Sequence, residues 1–349
     1  MIGKRIIPLV SLFFMPRLSA QEGERVSLRL DTSEADAVLS ILDKRAEHQQ
    51  VEDADWQRLF TSTPYRRLKE RESSMHRPLS DDDFKRFVAT LDAHRQELRN
   101  TLTSWSQANL TVIAQRPLAY LPAEAKLRAA VYPAIKPQTN SFVFQASTDA
   151  AIFLYLGPEE SRAQFENKVA HELHHIGIAT FDEEYEQRIQ SLPENVREAA
   201  RWMGALGEGV AVLAAAGSPC DPPLAVYPEQ DQCAWRVQMD RAAADLDELN
   251  NFFLDIIHGD VRNEAIEHEA STFFGYRGPW YTVGYLMATT IEKQLGRPAL
   301  VSTLRDPRVF VAKYNEAAIS RKNQGRVELP LFRKEVLDAV TASSSAPNQ

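Results

Sequence analysis

The chain has 349 residues, of which 44% are hydrophobic and 25% are charged, and its formal net charge at pH 7 is −8. A chain of this length can bury a substantial core in one large domain or in two interlocked ones. Because it is acidic and has no long basic run, we expect no nucleic-acid partner.

The first twenty residues have the three regions of a secretory signal peptide. Lys4 and Arg5 precede an apolar run over residues 6–15, and a short segment then ends at Ala20, after which we expect cleavage. An N-terminal membrane anchor is the less favoured alternative, because the apolar run is too short to span a bilayer comfortably. We therefore predict that residues 1–20 are removed. The protein is then exported, periplasmic or secreted, and keeps no stable membrane anchor.

Residues 21–109 are predicted to form a helical N-terminal region. Apolar residues recur there at helical spacing, capping residues precede them, and prolines mark the breaks. The first predicted helix follows a cap at residues 31–34. Two shorter helices are predicted at residues 53–60 and 65–75, and a longer one runs from residue 79 to residue 98.

The periodicity changes over residues 110–157. Four short runs there are rich in β-branched and aromatic residues, and prolines separate them. The predicted strands are residues 110–114, 127–131, 141–145 and 151–156. We therefore expect a small sheet of about four strands that ends just before the next helix.

Helical periodicity returns over residues 160–340. The predicted helices are residues 160–178, 182–190, 193–216, 229–257, 261–274, 279–295, 307–321 and 329–341. Residues 341–349 are of low complexity and are predicted to be a disordered tail. The predicted fold is α+β, mainly α-helical, with residues 110–340 forming one region and no sharp boundary within it.

Two cysteines, Cys220 and Cys233, lie on either side of a proline-rich loop at residues 221–223. An even number of cysteines in an exported protein favours a disulfide, and a bridge between these two would pin the loop. Two separate buried thiols are the alternative.

Residues 169–177 contain the pattern His-Glu-x-x-His at His171, Glu172 and His175. Because each helical residue advances by about 100°, the two histidines lie about 40° apart on one face and can share a metal ion. Glu172 points to the side, where it can hold a water molecule, and His174 falls on the other flank and is not counted as a ligand. A solvated helix with two surface histidines is the alternative.

Glu208 is the candidate for a third metal ligand. It is the only ionisable group in the apolar segment 202–217. A buried carboxylate needs a cation or a proton. The other members of its helical stripe are small and would allow a second helix to approach closely; they are Gly204, Ala211 and Ala215. The alternatives are that Glu208 reaches solvent or pairs with Arg201.

The two motifs together, His171-Glu172-x-x-His175 and a Glu208 that follows 33 residues later between two glycines, resemble the gluzincin type of zinc metallopeptidase. More narrowly, the whole mature chain resembles a family of bacterial, exported zinc-dependent peptidases of unassigned substrate, with softer matches at residues 65–71 and 278–285. The resemblance implies a zincin-like fold and one Zn²⁺ held by the two histidines and Glu208. It also implies that Glu172 is the general base in the hydrolysis of a peptide or protein substrate.

Such a mechanism also needs a donor for the oxyanion, and two tyrosines are candidates. Tyr281 is the first and Tyr285 the second, and they share a helix face with Gly284. Aromatic residues at helical spacing are more often part of the core, which is the alternative for both. One departure from the gluzincin pattern is Val212, since many gluzincins have an acidic residue one turn after the ligand glutamate. The motif therefore does not identify the outer partners of the histidines.

Two other functions remain open from the sequence. One is a secreted zinc-binding protein that keeps a zincin fold but performs no chemistry, and the presence of Glu172 disfavours it. The other is a metallohydrolase that acts on a non-peptide bond. A second metal site at His258 and His268 is less favoured than a solvated helix face.

Overall fold

The computed structural model describes residues 25–275 and 277–341. The predicted signal peptide and residues 342–349 of the predicted tail lie outside the described residues, whereas residue 341 ends a helix. Within the described ranges, no helix combines the length and the apolar character that a membrane span requires.

The fold is mainly helical with a small mixed sheet, in agreement with the predicted α+β class. The strands are β1 (Val26–Leu30), β2 (Leu127–Ala134), β3 (Phe142–Phe144) and β4 (Ala151–Tyr155). The helices of the first half are α1 (Ser33–Ala46), α2 (Asp53–Thr61), α3 (Thr63–Ser74), α4 (Asp81–Val88), α5 (Arg95–Ser106), α6 (Leu110–Leu118) and α7 (Arg162–Ala179).

The second half of the described chain is helical. Its helices are α8 (Asp182–Ile189), α9 (Glu194–Trp202), α10 (Gly207–Ala216), α11 (Glu229–Asp240), α12 (Ala242–His258), α13 (Glu264–Thr272), α14 (Pro279–Leu295), α15 (Arg297–Thr303), α16 (Pro307–Asn323) and α17 (Lys334–Thr341). Short 3₁₀ turns at Asp92–His94 and Met203–Leu206 join α4 to α5 and α9 to α10.

The sheet has four strands, as predicted, but one of them is a different segment. Its order is β1-β2-β4-β3, with β1, β2 and β4 parallel and β3 antiparallel to β4. The prediction missed β1, whose Val26 pairs with Leu127 of β2 across about a hundred residues of sequence. A five-residue strand next to a long helical region carries little local signal, and only its distant partner stabilises it.

The predicted strand at residues 110–114 is wrong, because this segment is the start of α6. The Asn109 side chain accepts hydrogen bonds from the amides of Thr111 and Val112 at 3.1 and 3.2 Å, which caps the helix. Ile113 is buried where α6 packs against α7. The β-branched run therefore has strand propensity, but the cap and the tertiary packing outweigh it.

Three predicted helices are interrupted. The segment 79–98 divides into α4 and α5, the segment 193–216 into α9 and α10, and the segment 229–257 into α11 and α12. Apolar periodicity does not detect such breaks, because a single tight turn can leave the apolar residues on both sides facing the same core. The α15 helix was not predicted.

Two large hydrophobic clusters form the core, and they divide the chain near residue 181. The first joins the N-terminal helices, the sheet and the apolar face of α7. The second joins α9, α10, α12, α14 and α16. Because α7 belongs to one cluster and α10 to the other, the contact between these two helices lies where the two clusters meet.

Candidate metal centre

The helix α7 presents the His-Glu-x-x-His pattern at a fixed place beside the sheet. A capping box starts the helix: the Ser161 hydroxyl accepts from the Gln164 amide, and the Gln164 side chain accepts from the Ser161 amide at 2.7 Å. Its apolar face is buried in the first cluster through Phe165, Val169, Ala170, Leu173 and Ile176. The other face, with His171 and His175, remains half-buried.

The helix α10 carries Glu208 in its first turn. All residues from Gly209 to Ala215 are buried, and the helix ends at Gly217 in the left-handed conformation with φ 90°. A side chain would strain this ending, which explains the glycine there. The short α10 is thus held rigidly in the core with its single carboxylate directed at α7.

A second close approach sets the position of α14. A Cβ added to Gly209 would stand 1.9 Å from the amide nitrogen of Tyr285, so the two helices touch backbone to backbone at this point. Gly209 lies outside the small stripe that contains Glu208, so α10 meets α14 through a different face. This contact brings Tyr281, one turn earlier on α14, near Glu208 and into the cleft that His171 lines.

The structure brings His171, His175 and Glu208 together. The Nε2 atom of His171 lies 3.1 Å from a carboxylate oxygen of Glu208, and the Nε2 atom of His175 lies 3.3 Å from the same oxygen. The two Nε2 atoms are 3.1 Å apart. Within the described ranges this is the only group of three His, Cys, Asp or Glu side chains with metal-ligand spacing.

The spacing of these three atoms fits a zinc ion. Ligands at about 2.0–2.2 Å from a tetrahedral zinc lie roughly 3.3 Å from one another, which is close to all three observed separations. The alternative partner of Glu208 is ruled out by geometry, since Arg201 pairs with Glu186 at 2.7 Å and with Glu198. This cluster can therefore bind a metal.

The charges within the cluster perturb its titration. Burial lowers the pKa of His175, but the Glu208 carboxylate, through its charge and a hydrogen bond, outweighs burial and raises that pKa to about 9. Burial would raise the pKa of Glu208, but His175 and His171 outweigh it and hold the pKa well below its usual range. The cluster thus stabilises an ionised carboxylate facing positive charge, which is what a cation site requires.

Glu172 and Tyr281 line the cleft beside the cluster. This cleft has a volume of about 260 Å³, and its lining includes His171, Glu172 and Tyr281. Burial raises the pKa of Glu172, although His171 and His175 oppose it. Burial, followed by the charges of Glu208 and Glu172, raises the pKa of the Tyr281 phenol above its usual range. This phenol therefore keeps its proton at neutral pH and can donate it to a hydrogen bond.

The structure distinguishes the two candidate tyrosines. The ring of Tyr281 stacks near His171, with 6.4 Å between ring centroids, and its phenol lies close enough to the Glu208 carboxylate for that charge to raise its pKa. Tyr285 is 9% exposed, packs edge-on against Trp235 at 5.4 Å, and is not part of the cleft lining. Tyr285 is therefore a residue of the hydrophobic core, which was the alternative for both tyrosines.

Several cleft residues were missed by the sequence analysis. They lie around the cluster and are Asn167, Lys168, Leu224, Tyr227, Trp235 and Arg277. The Tyr227 hydroxyl donates to the Asn167 side chain at 3.2 Å, and the Arg277 guanidinium stacks on the Tyr227 ring. Asn167 is four residues before His171 on the same helix face, a signal that could have identified it. Lys168 is the next residue on α7, and the others come from loops and from α11, which no local pattern places near α7.

The remaining sequence predictions have mixed outcomes. His174 is buried and lies outside the cluster. Burial, followed by the charges of the neighbouring histidines, lowers the pKa of His174 to about 3. Cys220 and Cys233 are free, exposed cysteines, so the structure does not contain the predicted bridge. Two cysteines on either side of a loop do not by themselves bring the Cβ atoms within the roughly 4 Å that a disulfide needs. His258 pairs with Glu335 at 3.0 Å.

Comparison with known proteins bears on this site. A family model described as "Putative zinc dependent peptidase (DUF5700)" matches residues 49–323. No curated protein and no solved structure matches the chain. The matched segment contains α7, α10 and α14, and therefore the whole cluster and the cleft beside it. The chain belongs to this "Putative zinc dependent peptidase" family.

Proposed function

We propose that the protein is an exported zinc-dependent metallopeptidase. His171, His175 and Glu208 hold one zinc ion, Glu172 is the general base, and the substrate is a peptide or protein. This proposal rests on one observation: the three donor atoms are separated by about the distances expected between ligands of a single tetrahedral zinc ion. The family match supports zinc dependence and peptide hydrolysis.

The donor set suits this metal. Two neutral imidazoles and one carboxylate, with a position left for water, are a common arrangement at catalytic zinc sites. When bound, the ion supplies Lewis-acid activation of a water molecule and of the substrate carbonyl. All three side chains are half-buried rather than sealed in the core, which leaves the cluster accessible from the adjoining cleft.

The chain's own residues then move the proton. A carboxylate oxygen of Glu172 accepts a proton from the attacking water and delivers it to the leaving amine. The desolvated position of Glu172, which raises its pKa, makes it a better proton acceptor than a carboxylate in water. The Tyr281 hydroxyl, still protonated at neutral pH, donates a hydrogen bond to the negative charge that develops on the carbonyl oxygen.

We further propose that the catalytic region has a zincin-like fold. The motif helix α7 lies against β2 and β4 of the mixed sheet, and the metal cluster lies on its opposite face. Export rests on the signal-peptide pattern of residues 1–20. N-terminal sequencing of the protein after export tests this part, since an intact Met1 contradicts it.

Metal content tests the ligand set. We expect about one zinc per wild-type chain by elemental mass spectrometry, and far less in His171→Ala and Glu208→Gln. The matched controls are His268→Ala and Glu264→Gln, which change the same residue types at exposed positions outside the cluster. Equal, sub-stoichiometric zinc in the wild type and all four variants would contradict the metal centre.

Peptide cleavage tests the activity separately. Wild-type protein with full zinc is expected to cleave casein or members of a peptide library, and Glu172→Gln is expected to bind zinc without cleaving. Full zinc with no cleavage of any peptide would instead favour a non-catalytic zinc-binding protein or a hydrolase that acts on another bond.

A further inference from the structure

A second cavity lies near the metal cluster, and its lining has no residue in common with the cleft of Glu172 and Tyr281. Its volume is about 460 Å³, which is within the range of roughly 300–1,000 Å³ typical of small-ligand sites. It lies between the C-terminal half of α7, the start of α10 and the segment that joins α15 to α16. Its apolar lining includes Ile178, Phe181, Met203, Val210, Leu304 and Phe310.

This cavity and the metal centre share the same two helices. On α7, His171 and His175 belong to the metal cluster, whereas His174 and Ile178 line the cavity. On α10, Gly207 lines the cavity and its neighbour Glu208 belongs to the cluster. Neighbouring residues of the same two helices thus belong to the cluster and to the cavity wall. This adjacency places the cavity within reach of a substrate held at the cluster.

Gly207 keeps the cavity open. A Cβ added to this residue would meet no atom within 4 Å, apart from its chain neighbours and its own helix backbone. Gly209, two residues later, is in backbone contact with α14, so the two glycines have different roles. Gly204 also lines the cavity, and a Cβ there would meet only Pro307, at an ordinary contact distance of 3.9 Å.

The cations at the cavity are already paired, and Asp182 is the remaining charged residue of its lining. Arg201 bonds with Glu186 at 2.7 Å, and both of these residues line the cavity. Arg305 bonds with Glu124 and stacks on the Phe181 ring. These cations are therefore compensated within the protein and do not require an acidic ligand. The apolar part of the wall favours an uncharged apolar group, because a charged side chain would lose its hydration there.

One polar group in the cavity wall is not fully satisfied. The His174 side chain is 1% exposed, and neither ring nitrogen has a hydrogen bond of good geometry within the described residues, although the backbone of Tyr120 lies nearby. Leaving a buried polar group without a partner costs roughly 1–3 kcal/mol.

We propose that this cavity is a specificity pocket that receives a bulky, uncharged apolar side chain of the substrate, next to the bond that is cleaved. The inference rests on the proposed peptidase function and adds the class of side chain. Leu, Met and Phe fit the pocket, whereas Asp, Glu, Lys and Arg are disfavoured. Gly207 is the specificity-determining residue, because a large side chain there, such as leucine, would occupy the space.

The test compares Gly207→Leu, which fills the pocket, with Gly207→Ala, which leaves most of it open. Gly204→Leu is a second filling variant in case the first fails to fold. The probes are fluorescein-labelled octapeptides of Gly and Ser with one central Ala, Leu, Phe or Glu. Binding is measured by fluorescence anisotropy with Glu172→Gln as the background, so that it does not depend on turnover. Cleavage of the same peptides is measured with Glu172 intact.

We expect Leu and Phe peptides to bind at least about tenfold more tightly than the Ala peptide, as is typical when an apolar pocket is filled. This preference should persist in Gly207→Ala and be lost in Gly207→Leu, while zinc content stays the same. Cleavage without any size preference, or a preference unchanged in both filling variants, would overturn the pocket and leave the peptidase function standing. Size-dependent binding without cleavage would support the pocket and contradict the peptidase function. The absence of both binding and cleavage would overturn the pocket and the peptidase function together.

Discussion

Gly209 of α10 and Gly284 of α14 are in direct backbone contact. A Cβ on Gly284 would stand 2.2 Å from the carbonyl oxygen of Leu206 and 3.1 Å from the Cα of Gly209. No rotamer change can relieve such overlaps, because backbone atoms are on both sides. The contact joins the helix that carries Glu208 to the helix that carries Tyr281, and it therefore sets the geometry of the site.

Substitution of Gly209 by alanine is expected to destabilise the fold. The methyl group must push α10 and α14 apart, and overpacking of this kind costs about 1–3 kcal/mol in the free energy of unfolding. Zinc affinity should fall as well, because Glu208 moves with α10. Gly207→Ala is the matched control, since its methyl group enters open space. Urea unfolding of both variants tests this, and equal losses of stability would contradict the role of the contact.

Tyr281→Phe is expected to lower kcat by about a hundredfold or more, as is typical of the loss of one oxyanion donor. The effect on KM should be small, because the hydroxyl acts on charge that develops in the transition state. Tyr285→Phe is the control on the same helix, and its activity should be close to that of the wild type because Tyr285 is buried and is not part of the cleft lining. Steady-state kinetics on one peptide distinguishes the two, and similar losses in both would exclude Tyr281 as the donor.

Glu172→Gln is expected to lower kcat by about 10²–10⁴. The amide keeps the shape of the side chain but cannot accept the proton. Zinc content should remain at the wild-type level, because Glu172 lies outside the ligand cluster. The combination of full zinc and lost turnover is the diagnostic result. Loss of zinc together with activity would mean that Glu172 supports the metal rather than the proton transfer.

A buried carboxyl far from the metal centre should make stability depend on pH. Burial raises the pKa of Glu34 from its ordinary 4.5 to about 8, although a hydrogen bond from the amide of Ile135 and the charge of Lys136 oppose the increase. Between these two pH values the folded chain holds a proton that the unfolded chain has released. The contribution of Glu34 to stability is therefore complete below pH 4.5 and is lost as the pH rises to about 8, by at most about 1.4 kcal/mol per pH unit.

The variant Glu34→Gln isolates this effect. Glutamine keeps an acceptor for the Ile135 amide but does not titrate. Relative to wild type, the variant should gain stability steadily between pH 4.5 and 8 when unfolding is followed at several pH values. A stability difference that does not change with pH would mean that Glu34 titrates normally.

The sequence predicts those features of the site that depend on residues close together in the chain. His171 and His175 face the same way on any helix, because the i, i+4 relation is a property of the helix itself. Glu208 could be selected because a single acid in an apolar helix is costly without a partner. The prediction of a strand at residues 110–114 was wrong because it used local propensity alone. The Asn109 cap and the contact with α7 favour a helix there.

By itself, the sequence determined the helical histidine pair, the candidate general base beside it, the candidate carboxylate and the α+β class, since each is encoded by residues close together in the chain. Only the tertiary structure showed that Tyr281 lines the cleft and Tyr285 does not, paired β1 with β2 and placed a cavity near the metal cluster. Those features depend on contacts between segments tens to hundreds of residues apart. Gly209 shows the difference most directly: the sequence identifies it as a small residue on α10, and the fold makes it the point where α14 is held against that helix.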